Sequence, residues 1–308
     1  MTLVLGLFAN KSEAQIPNTF IQCRFIQHIN SEYTCLLDNI QHLNEFATVF
    51  ISGIHLQGRN NNDVRRIRIV NSRTPFIIHQ LFTTFAFATT FEIENSRLER
   101  ISQTAFRQAG SLQVIRITNN PIRLIEAGVL RNLNRLQFLD LNRNQINHLP
   151  ETIFDGLSNL EDLDLAFNRI FNFTSNTFRS LTRLEVLNLG FNNLTHISGD
   201  SFQNNRNLLT LMLRNNQIHA IQPNFVNNLN NISVLMFGNN RCVDQTFQRP
   251  STWNLNEGLR NCFNNWSGTP VNPEVPEIPA DFRKYVLFLR GDLIVADENG
   301  QVITRLSG

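Results

Sequence analysis

Three aspartates of this sequence stand where they could form one charged site. Asp140 and Asp164 are separated by 24 residues, and Asp162 lies two residues before Asp164. Carboxylates are the ligands that hard cations such as Ca²⁺ prefer, and they also pair with basic groups of a ligand. Two carboxylates can alternatively hydrolyse a glycosidic bond. Because the sequence supplies neither a ligand loop nor the signs of a deep pocket, we favour a solvated acidic patch.

The rest of the sequence gives no indication of catalysis. It contains neither a G-x-S-x-G motif nor a phosphate-binding loop, and its seven histidines are scattered. Its four cysteines include no C-x-x-C pair of the kind that zinc sites use. We expect a protein that is not an enzyme, with no catalytic residue, metal or cofactor.

One tripeptide near the end of the chain matches an integrin-binding motif. Arg290, Gly291 and Asp292 form the sequence RGD, followed by Leu-Ile-Val. An alternative interpretation is structural, because Gly291 can form a turn between the apolar segments YVLFL and LIVA. Both interpretations remain open at the level of sequence.

The aspartates belong to a pattern that repeats every 24 residues without insertion or deletion. Its clearest copies are LQFLDLNRN from Leu136, LEDLDLAFN from Leu160, LEVLNLGFN from Leu184 and LLTLMLRNN from Leu208. The positions that close the copies are Ser72, Ser96, Asn120, Asn144, Asn168, Asn192, Asn216 and Asn240. The closing asparagine can bond backbone groups of the bend after a strand, so we expect a ladder of such amides.

The pattern L-x-x-L-x-L-x-x-N is typical of leucine-rich repeats, in which stacked neighbours bury the apolar face that no single repeat can bury. We therefore expect an α/β fold: a horseshoe-shaped solenoid with a parallel concave β-sheet and short convex helices or turns. Disulfide caps at both ends and a C-terminal β-hairpin extension complete the prediction. The convex core is expected to hold Phe82, Phe106, Phe154, Phe178, Phe202 and Phe225.

The chain divides into six predicted segments. They are a signal peptide (1–14), an N-terminal cap (15–63), an array of about eight repeats (64–240), a C-terminal cap (241–267), a proline-rich linker (268–282) and a β-hairpin tail (283–308). The signal peptide is inferred from the short apolar run Leu3–Ala9 and the small residues after it, and the alternative is a buried or disordered N-terminus. Within the N-terminal cap we expect a hairpin over 23–35 and a first strand parallel to the array over 47–56.

The cysteines flank the predicted array in two local pairs. Because the rigid array separates the pairs, we expect the disulfides Cys23–Cys35 and Cys242–Cys262. Disulfides and a signal peptide both indicate a secreted, extracellular protein, and no segment is apolar enough to span a bilayer. Sequons predict N-glycosylation of Asn172, Asn193, Asn231 and Asn265.

The strand pattern also predicts which side chains form the concave face. We expect a partner-binding surface on it that changes from basic and mixed charge near the N-terminus, through an acidic centre, to an apolar stretch. Its residues are Arg116, Phe138, Asp140, Asp162, Asp164, Asn188, Met212, Arg214 and Met236. Exposed methionines suit adaptable binding, so Met212 and Met236 are the expected apolar anchor. The alternative is that these residues are merely tolerated where they face solvent.

Residues 15–266 resemble extracellular leucine-rich-repeat proteins of the insect secreted type. The resemblance rests on the repeats, on the stretches YTC and SGIHLQG before them, and on NRCVDQTF with Cys262 after them. The C-terminal cap departs from that of Toll-like and Slit-like members, because it has two cysteines instead of four.

The resemblance implies a secreted, non-enzymatic protein that binds a protein or glycoconjugate, with innate immunity among the family's functions. The alternative is an adhesive or structural matrix protein that forms homodimers through its C-terminal tail. A net charge of +2 without a concentrated basic region gives no reason to expect a nucleic-acid partner.

Overall fold

The computed structural model describes residues 18–27, 31–41, 48–266, 285–289, 292–296 and 302–307. The predicted signal peptide, the whole of the predicted linker, and Arg290 with Gly291 lie outside these residues. The chain forms two compact units, Met1–Asn272 and Pro273–Gly308. The first unit contains the repeats and both disulfides, and the second contains a small separate sheet.

The described part of the chain contains twenty strands and few helices. The strands are β1 (Asn18–Gln22), β2 (Arg24–Ile26), β3 (Thr34–Asp38), β4 (Thr48–Ser52), β5 (Arg66–Val70), β6 (Thr90–Glu94), β7 (Arg100–Ile101), β8 (Val114–Thr118), β9 (Leu124–Ile125), β10 (Phe138–Asp140), β11 (Asp162–Asp164), β12 (Val186–Asn188), β13 (His196–Ile197), β14 (Thr210–Met212), β15 (Ala220–Ile221), β16 (Val234–Met236), β17 (Thr246–Gln248), β18 (Tyr285–Leu289), β19 (Asp292–Ala296) and β20 (Val302–Ser307). The helices are α1 (Gln80–Thr84), α2 (Thr252–Gly258) and α3 (Arg260–Asn264), with 3₁₀ helices at Asn61–Asp63, Gly199–Phe202 and Pro223–Asn228.

Eleven strands form the main sheet in the order β2-β3-β5-β6-β8-β10-β11-β12-β14-β16-β17. Its inner strands are all parallel, and each repeat pairs with the next in a register of 24 residues, as in Leu139 with Leu163 and Leu163 with Leu187. The register brings equivalent side chains of successive coils next to one another. The predicted parallel sheet of a leucine-rich-repeat solenoid is therefore confirmed.

The space behind the sheet is filled by apolar side chains from every coil. The predicted convex phenylalanines are all buried, and rings of neighbouring coils contact each other: Phe154 and Phe178 lie 5.8 Å apart, and Phe178 and Phe202 lie 5.7 Å apart. Shorter two-stranded pairs, β7 with β9 and β13 with β15, link the coils on one flank. Turns make up most of the convex side, which explains how few helices are present.

A ladder of buried asparagines joins the coils where each strand ends. The Asn168 Nδ2 group donates to the Leu141 carbonyl of the preceding coil and to the Leu165 carbonyl of its own coil, both at 3.0 Å. The Asn168 Oδ1 atom accepts the Ile146 N–H at 3.0 Å. Equivalent bonds are made by Asn192, Asn216 and Asn240. The ladder predicted from the repeat is thus present.

Serine replaces asparagine at the first two positions of the ladder. The Ser96 hydroxyl accepts the Ser72 N–H at 3.3 Å and donates to the Glu94 carbonyl of its own coil at 2.8 Å. The asparagine amides each donate a bond to the preceding coil. Among the bonds described for Ser96, its hydroxyl donates none to that coil. The serine hydroxyls therefore still supply hydrogen bonds to the backbone of the bend where the array begins.

Both ends of the main sheet are covered by a strand that runs against the array. At the N-terminal end β2 and β3 form the predicted hairpin, which the disulfide Cys23–Cys35 closes. The expectation that residues 47–56 supply the first parallel strand was wrong: β3 pairs with β5, whereas β4 pairs with β1 in a separate two-stranded sheet. The hairpin occupies the edge of the main sheet and thereby leaves β4 no position on it.

At the C-terminal end β17 runs antiparallel to β16, and α2 and α3 follow it. The helix predicted near residues 255–261 is thus two short helices over a wider range. The disulfide Cys242–Cys262 joins α3 to the end of the array.

In the second unit β18, β19 and β20 form a three-stranded antiparallel sheet, in agreement with the apolar segments YVLFL, LIVA and QVITRL.

Replacing one ladder residue tests its contribution to stability. We expect Asn168→Ala to lower the free energy of unfolding by about 2–4 kcal/mol, because it removes several bonds and leaves the buried Ile146 N–H without its acceptor. Asn159→Ala is the matched control, since it removes one exposed bond to the Asn134 carbonyl and should cost less than about 1 kcal/mol. Urea denaturation followed by circular dichroism measures both, and equal losses would contradict the role of the ladder.

Candidate binding surface

The N-terminal part of the concave sheet is an ion-pair network centred on Glu92. Arg116 Nη1 lies 3.1 Å from Glu92 Oε1, and Arg68 Nε lies 3.6 Å from Glu92 Oε2. Arg66 reaches the same carboxylate at 4.0 Å and reaches Glu32 at 3.0 Å. The mixed charge expected here is thus largely neutralised within the protein, which leaves this region less suited to charged ligands than its composition implies.

In the centre of the sheet, Asp164 is built into the backbone and is only 8% exposed. Its Oδ1 atom accepts the Ala166 N–H at 2.8 Å, and its Oδ2 atom accepts a hydrogen from Asn188 Nδ2 at 3.2 Å. Burial, and then the neighbouring Asp140 charge, raise the pKa of Asp164 from 3.8 to about 8. Asp140 similarly accepts the Asn142 N–H at 2.9 Å, and burial raises its pKa to about 6. The prediction of a solvated acidic patch was therefore wrong for Asp164, which orders the bend after its strand.

Asp162 differs from the other two aspartates, because it is half-buried in the neighbouring row of the sheet. It is paired in register with Phe138 on one side and Val186 on the other. Burial, and then the charges of Glu185 and Glu161, raise the pKa of Asp162 to about 6. This row, unlike that of Asp164, remains accessible to a partner.

The expected apolar anchor is not exposed. Met212 is 1% exposed and Met236 is 9% exposed, so the prediction that both are accessible was wrong. Asn188 of the same row is also buried. Strands lie about 4.8 Å apart, and the register places Met212 between Asn188 and Met236, so long side chains of this row cover one another. The strand β17 adds a further neighbour, Thr246, beside Met236.

Four half-buried side chains from successive coils form what we call the aromatic stack: Arg143, Phe167, Phe191 and Arg214. The Phe167 and Phe191 rings are stacked, with centroids 4.2 Å apart and planes within 10°. The Arg143 guanidinium lies 4.6 Å from the Phe167 centroid, and that of Arg214 lies 5.2 Å from the Phe191 centroid. Burial lowers the pKa of Arg214. A second pair of this kind places Arg116 4.7 Å from the Phe138 centroid.

Of the four residues in this stack, only Arg214 was predicted from the sequence to contact a partner; Arg143, Phe167 and Phe191 were not. They occupy the position just before the ladder asparagine, where the backbone is left-handed in every coil, with φ between 48° and 58°. Asparagine tolerates this conformation and fills the position elsewhere: Asn71, Asn95, Asn119, Asn215 and Asn239. Three consecutive coils have Arg143, Phe167 and Phe191 instead. That break in a row of asparagines was a signal available in the sequence.

The remaining predicted sites have different surroundings. Asn193 is 4% exposed, so it offers no accessible amide in the folded chain, contrary to the expectation that it is glycosylated. Its backbone N–H instead bonds the Ile170 carbonyl of the preceding coil. Asn172 is half-buried, whereas Asn231 and Asn265 are exposed, and these three remain predicted acceptors.

Within the described residues, no group of three or more His, Cys, Asp or Glu side chains is arranged so that it could hold a metal ion. None of the helices in that same part of the chain has the length and apolarity needed to cross a membrane. Of the RGD tripeptide, Arg290 and Gly291 are outside the described residues, and Asp292 begins β19.

Comparison with known proteins agrees with the geometry of the sheet. The sequence matches the family described as leucine rich repeat over residues 88–146, 139–194 and 158–218. Residues 88–218 are leucine-rich repeats. The structure continues the same coil on both sides of this range, from β5 to β16. No curated protein sequence matches the chain.

Solved leucine-rich-repeat structures share this fold at low sequence identity. The chain is similar to one from the Toll–Spatzle complex of Drosophila, with 23% identity and a TM-score of 0.58, over 74% of this chain and 31% of the other. It is similar to one from the LRIM1/APL1C complex, with 20% identity and a TM-score of 0.58, over 74% and 43%. The APL1 leucine-rich-repeat domain gives 20% identity and 0.57, over 74% and 60%. The chain thus spans less than two thirds of each neighbour, and the likeness shows the fold.

The buried carboxylate of Asp164 predicts a pH dependence of stability. Because its pKa is raised in the folded state, the free energy of unfolding should fall as the pH rises from about 4 to about 8. Asp164→Asn should weaken this dependence and raise stability at pH 8 by about 1 kcal/mol or more, since Asn188 already makes the equivalent bond to Gly190.

The reverse substitution is the matched control for the pH experiment. Asn188→Asp adds a carboxylate beside Asp164 and should destabilise the protein more at pH 8 than at pH 4. Urea titrations of the three proteins at both pH values give the comparison. A wild-type stability that rises over this range, and an Asp164→Asn protein that follows it, would contradict the assignment.

Proposed function

We propose that this chain is a secreted, non-enzymatic recognition protein of innate immunity that binds a protein or a glycoconjugate on its concave face. The observation that carries the proposal is the aromatic stack, together with the accessible row of Phe138 and Asp162 beside it. The Ca²⁺, glycosidase and apolar-anchor interpretations contribute nothing to the proposal.

The backbone at three positions of the aromatic stack is conformationally strained. A left-handed backbone costs an ordinary residue roughly 1–2 kcal/mol, and Arg143, Phe167 and Phe191 all adopt it. Contact between stacked rings recovers only about 0.5–1.5 kcal/mol per pair. Strained positions of this kind cluster at binding sites, where the strain holds side chains in place before the partner arrives.

The chemistry of the stack also suits recognition. Arginine and aromatic side chains are the residues that most often contribute binding energy at protein interfaces. Each guanidinium of the stack has a ring on one side, so its position is fixed while part of it remains accessible. Half-buried Asp162 supplies a carboxylate in a neighbouring row of the same sheet, which favours a partner that presents both apolar and charged groups.

Two further findings support the setting that we propose. Disulfides such as Cys23–Cys35 and Cys242–Cys262 form and persist in oxidising compartments, which supports secretion. Two of the solved neighbours come from complexes between proteins, Toll with Spatzle and LRIM1 with APL1C. These relationships support recognition of a protein partner in an immune context by the present chain.

A second candidate function is adhesion or matrix assembly through the C-terminal unit. Within its described residues, the unit is a single three-stranded sheet whose outer strands, β18 and β20, each pair only with β19. Such edges can pair with another chain, which would give a homodimer. The RGD tripeptide would serve the same function by contacting an integrin-like receptor.

Restoring asparagine to the left-handed row tests the first proposal. We expect the double variant Phe167→Asn/Phe191→Asn to keep a free energy of unfolding within about 1 kcal/mol of the wild type, because relief of backbone strain offsets the lost ring contact. The same variant should lose the partner that wild-type protein retrieves from extracellular fluid. Quantitative mass spectrometry of the retrieved proteins and glycans provides the readout.

Leu124→Asn is the control for this experiment, because it removes an exposed apolar side chain from β9, outside the main sheet. It should retrieve the partner as the wild type does. If the double variant binds a purified partner with unchanged affinity, the concave proposal fails.

The second candidate is tested by the size of the protein in solution. A chain ending at Asn272, the boundary of the first unit, should be monomeric while the full chain is dimeric if β18 and β20 mediate association. Light scattering over a concentration series measures both masses. If each protein has the mass of its own monomer at every concentration, the support for assembly through the tail is removed.

A further inference from the structure

A second surface of the solenoid concentrates arginine. The last five residues before the first leucine of a repeat occupy the turn that leads into a strand, and four successive copies are RNLNR (131–135), DGLSN (155–159), RSLTR (179–183) and QNNRN (203–207). Their charged residues are Arg131, Arg135, Arg179, Arg183, Arg206 and Asp155. We call the five arginines the arginine strip. All five are exposed, and Asp155 is the one acidic residue in these four turns.

Contacts show that the strip is continuous across the coils. Arg131 Nη2 and Arg179 Nη2 approach the same Asp155 Oδ2 atom, at 3.9 Å and 3.5 Å, from the coils on either side. Arg179 and Arg206 then line one open recess of about 720 Å³. Strand spacing sets successive coils about 4.8 Å apart, so four turns extend over roughly 14 Å. Asp155 neutralises one charge of five.

The recess between Arg179 and Arg206 is lined by neutral hydrogen-bonding groups. Its other lining residues are Ser180, Thr182, Asn204 and Asn207. The Asn207 Nδ2 group is fixed by a bond to the Thr182 carbonyl at 2.9 Å, and the Ser180 hydroxyl is fixed by Asp155 at 3.1 Å. Hydroxyl and amide groups between two guanidinium groups match a ligand that alternates anionic groups with sugar hydroxyls.

Two nearby acidic residues, Glu161 and Glu185, lie close enough to the concave sheet to act on Asp162. Glu161 and Glu185 follow the leucines that begin two of the repeats, and their charges raise the pKa of Asp162 on the concave sheet. The opposite flank has a lower density of arginine, with Arg123 and Arg169 over the same stretch of coils and Arg241 beyond it. The strip is thus a local feature and does not follow from the net charge of +2.

We infer that the arginine strip binds a sulfated polysaccharide, at a site separate from the concave face. Guanidinium groups pair with sulfate oxygens through charge-assisted hydrogen bonds, and a row of them fits a chain with repeated sulfates. A sulfated glycan fits better than a nucleic acid, because the four turns present no exposed aromatic ring for a base. Their neighbouring phenylalanines, Phe154, Phe178 and Phe202, are fully buried.

The test measures binding of the full-length chain to heparin at fixed ionic strength. The triple variant Arg179→Gln/Arg183→Gln/Arg206→Gln should bind heparin about tenfold or more weakly, because three exposed ion pairs are lost. The matched control, Arg123→Gln/Arg169→Gln/Arg241→Gln, lowers the formal net charge equally, from +2 to −1, and should change the affinity less than about twofold. Fully desulfated heparin should not bind the wild type.

Each alternative outcome overturns the inference. Equal weakening by both triple variants would show a response to overall charge alone. Single-stranded RNA that binds as tightly as heparin, with the same dependence on the strip, would make a nucleic acid the partner. A wild-type chain that does not bind heparin would also exclude the site. The double variant Arg131→Gln/Arg135→Gln supplies a second measurement at the other end of the strip, where we expect a severalfold loss, and an unchanged affinity would contradict a continuous site.

Discussion

The asparagine ladder is the constraint on which the rest of this structure depends. Each amide bonds main-chain groups of two coils at once, as Asn168 does for Leu141 of the preceding coil and Leu165 of its own coil. A coil longer or shorter by one residue would move its carbonyls and N–H groups out of reach of that amide and leave them buried without partners. The ladder therefore enforces the register of 24 residues, and the register in turn determines which side chains become neighbours on every face.

The fixed register gives each face of the solenoid its own chemistry. On the concave side it brings Asp140 beside Asp164, so that the bend is stabilised by carboxylates in a poorly solvated position. One position before each ladder residue it aligns left-handed residues, and there Phe167 and Phe191 stack. In the turns before the strands it aligns the arginine strip. The same repeat thus builds a scaffold and two separate surfaces, for which we propose different partners.

Much of the fold could be predicted from the sequence, because the repeat encodes local facts. The spacing of leucines predicted the strands, the closing asparagines predicted the ladder, and the position of the array between the cysteines predicted Cys23–Cys35 and Cys242–Cys262. The cap was predicted less well, since nothing local indicates that β4 pairs with β1 rather than with the array.

The binding surface was harder to predict, because exposure depends on the neighbours of a residue as well as on its own position. Met212 faces the concave side as the pattern requires, yet Asn188 and Met236 flank it in register and it is buried. The strand pattern assigned side chains to rows but gave no account of the left-handed position, so it missed Arg143, Phe167 and Phe191. Hydrogen exchange of the full chain with and without its retrieved partner tests the central claim most directly. The account predicts protection of β10–β14 with the residues of the aromatic stack, whereas protection confined to residues 285–307 would contradict it.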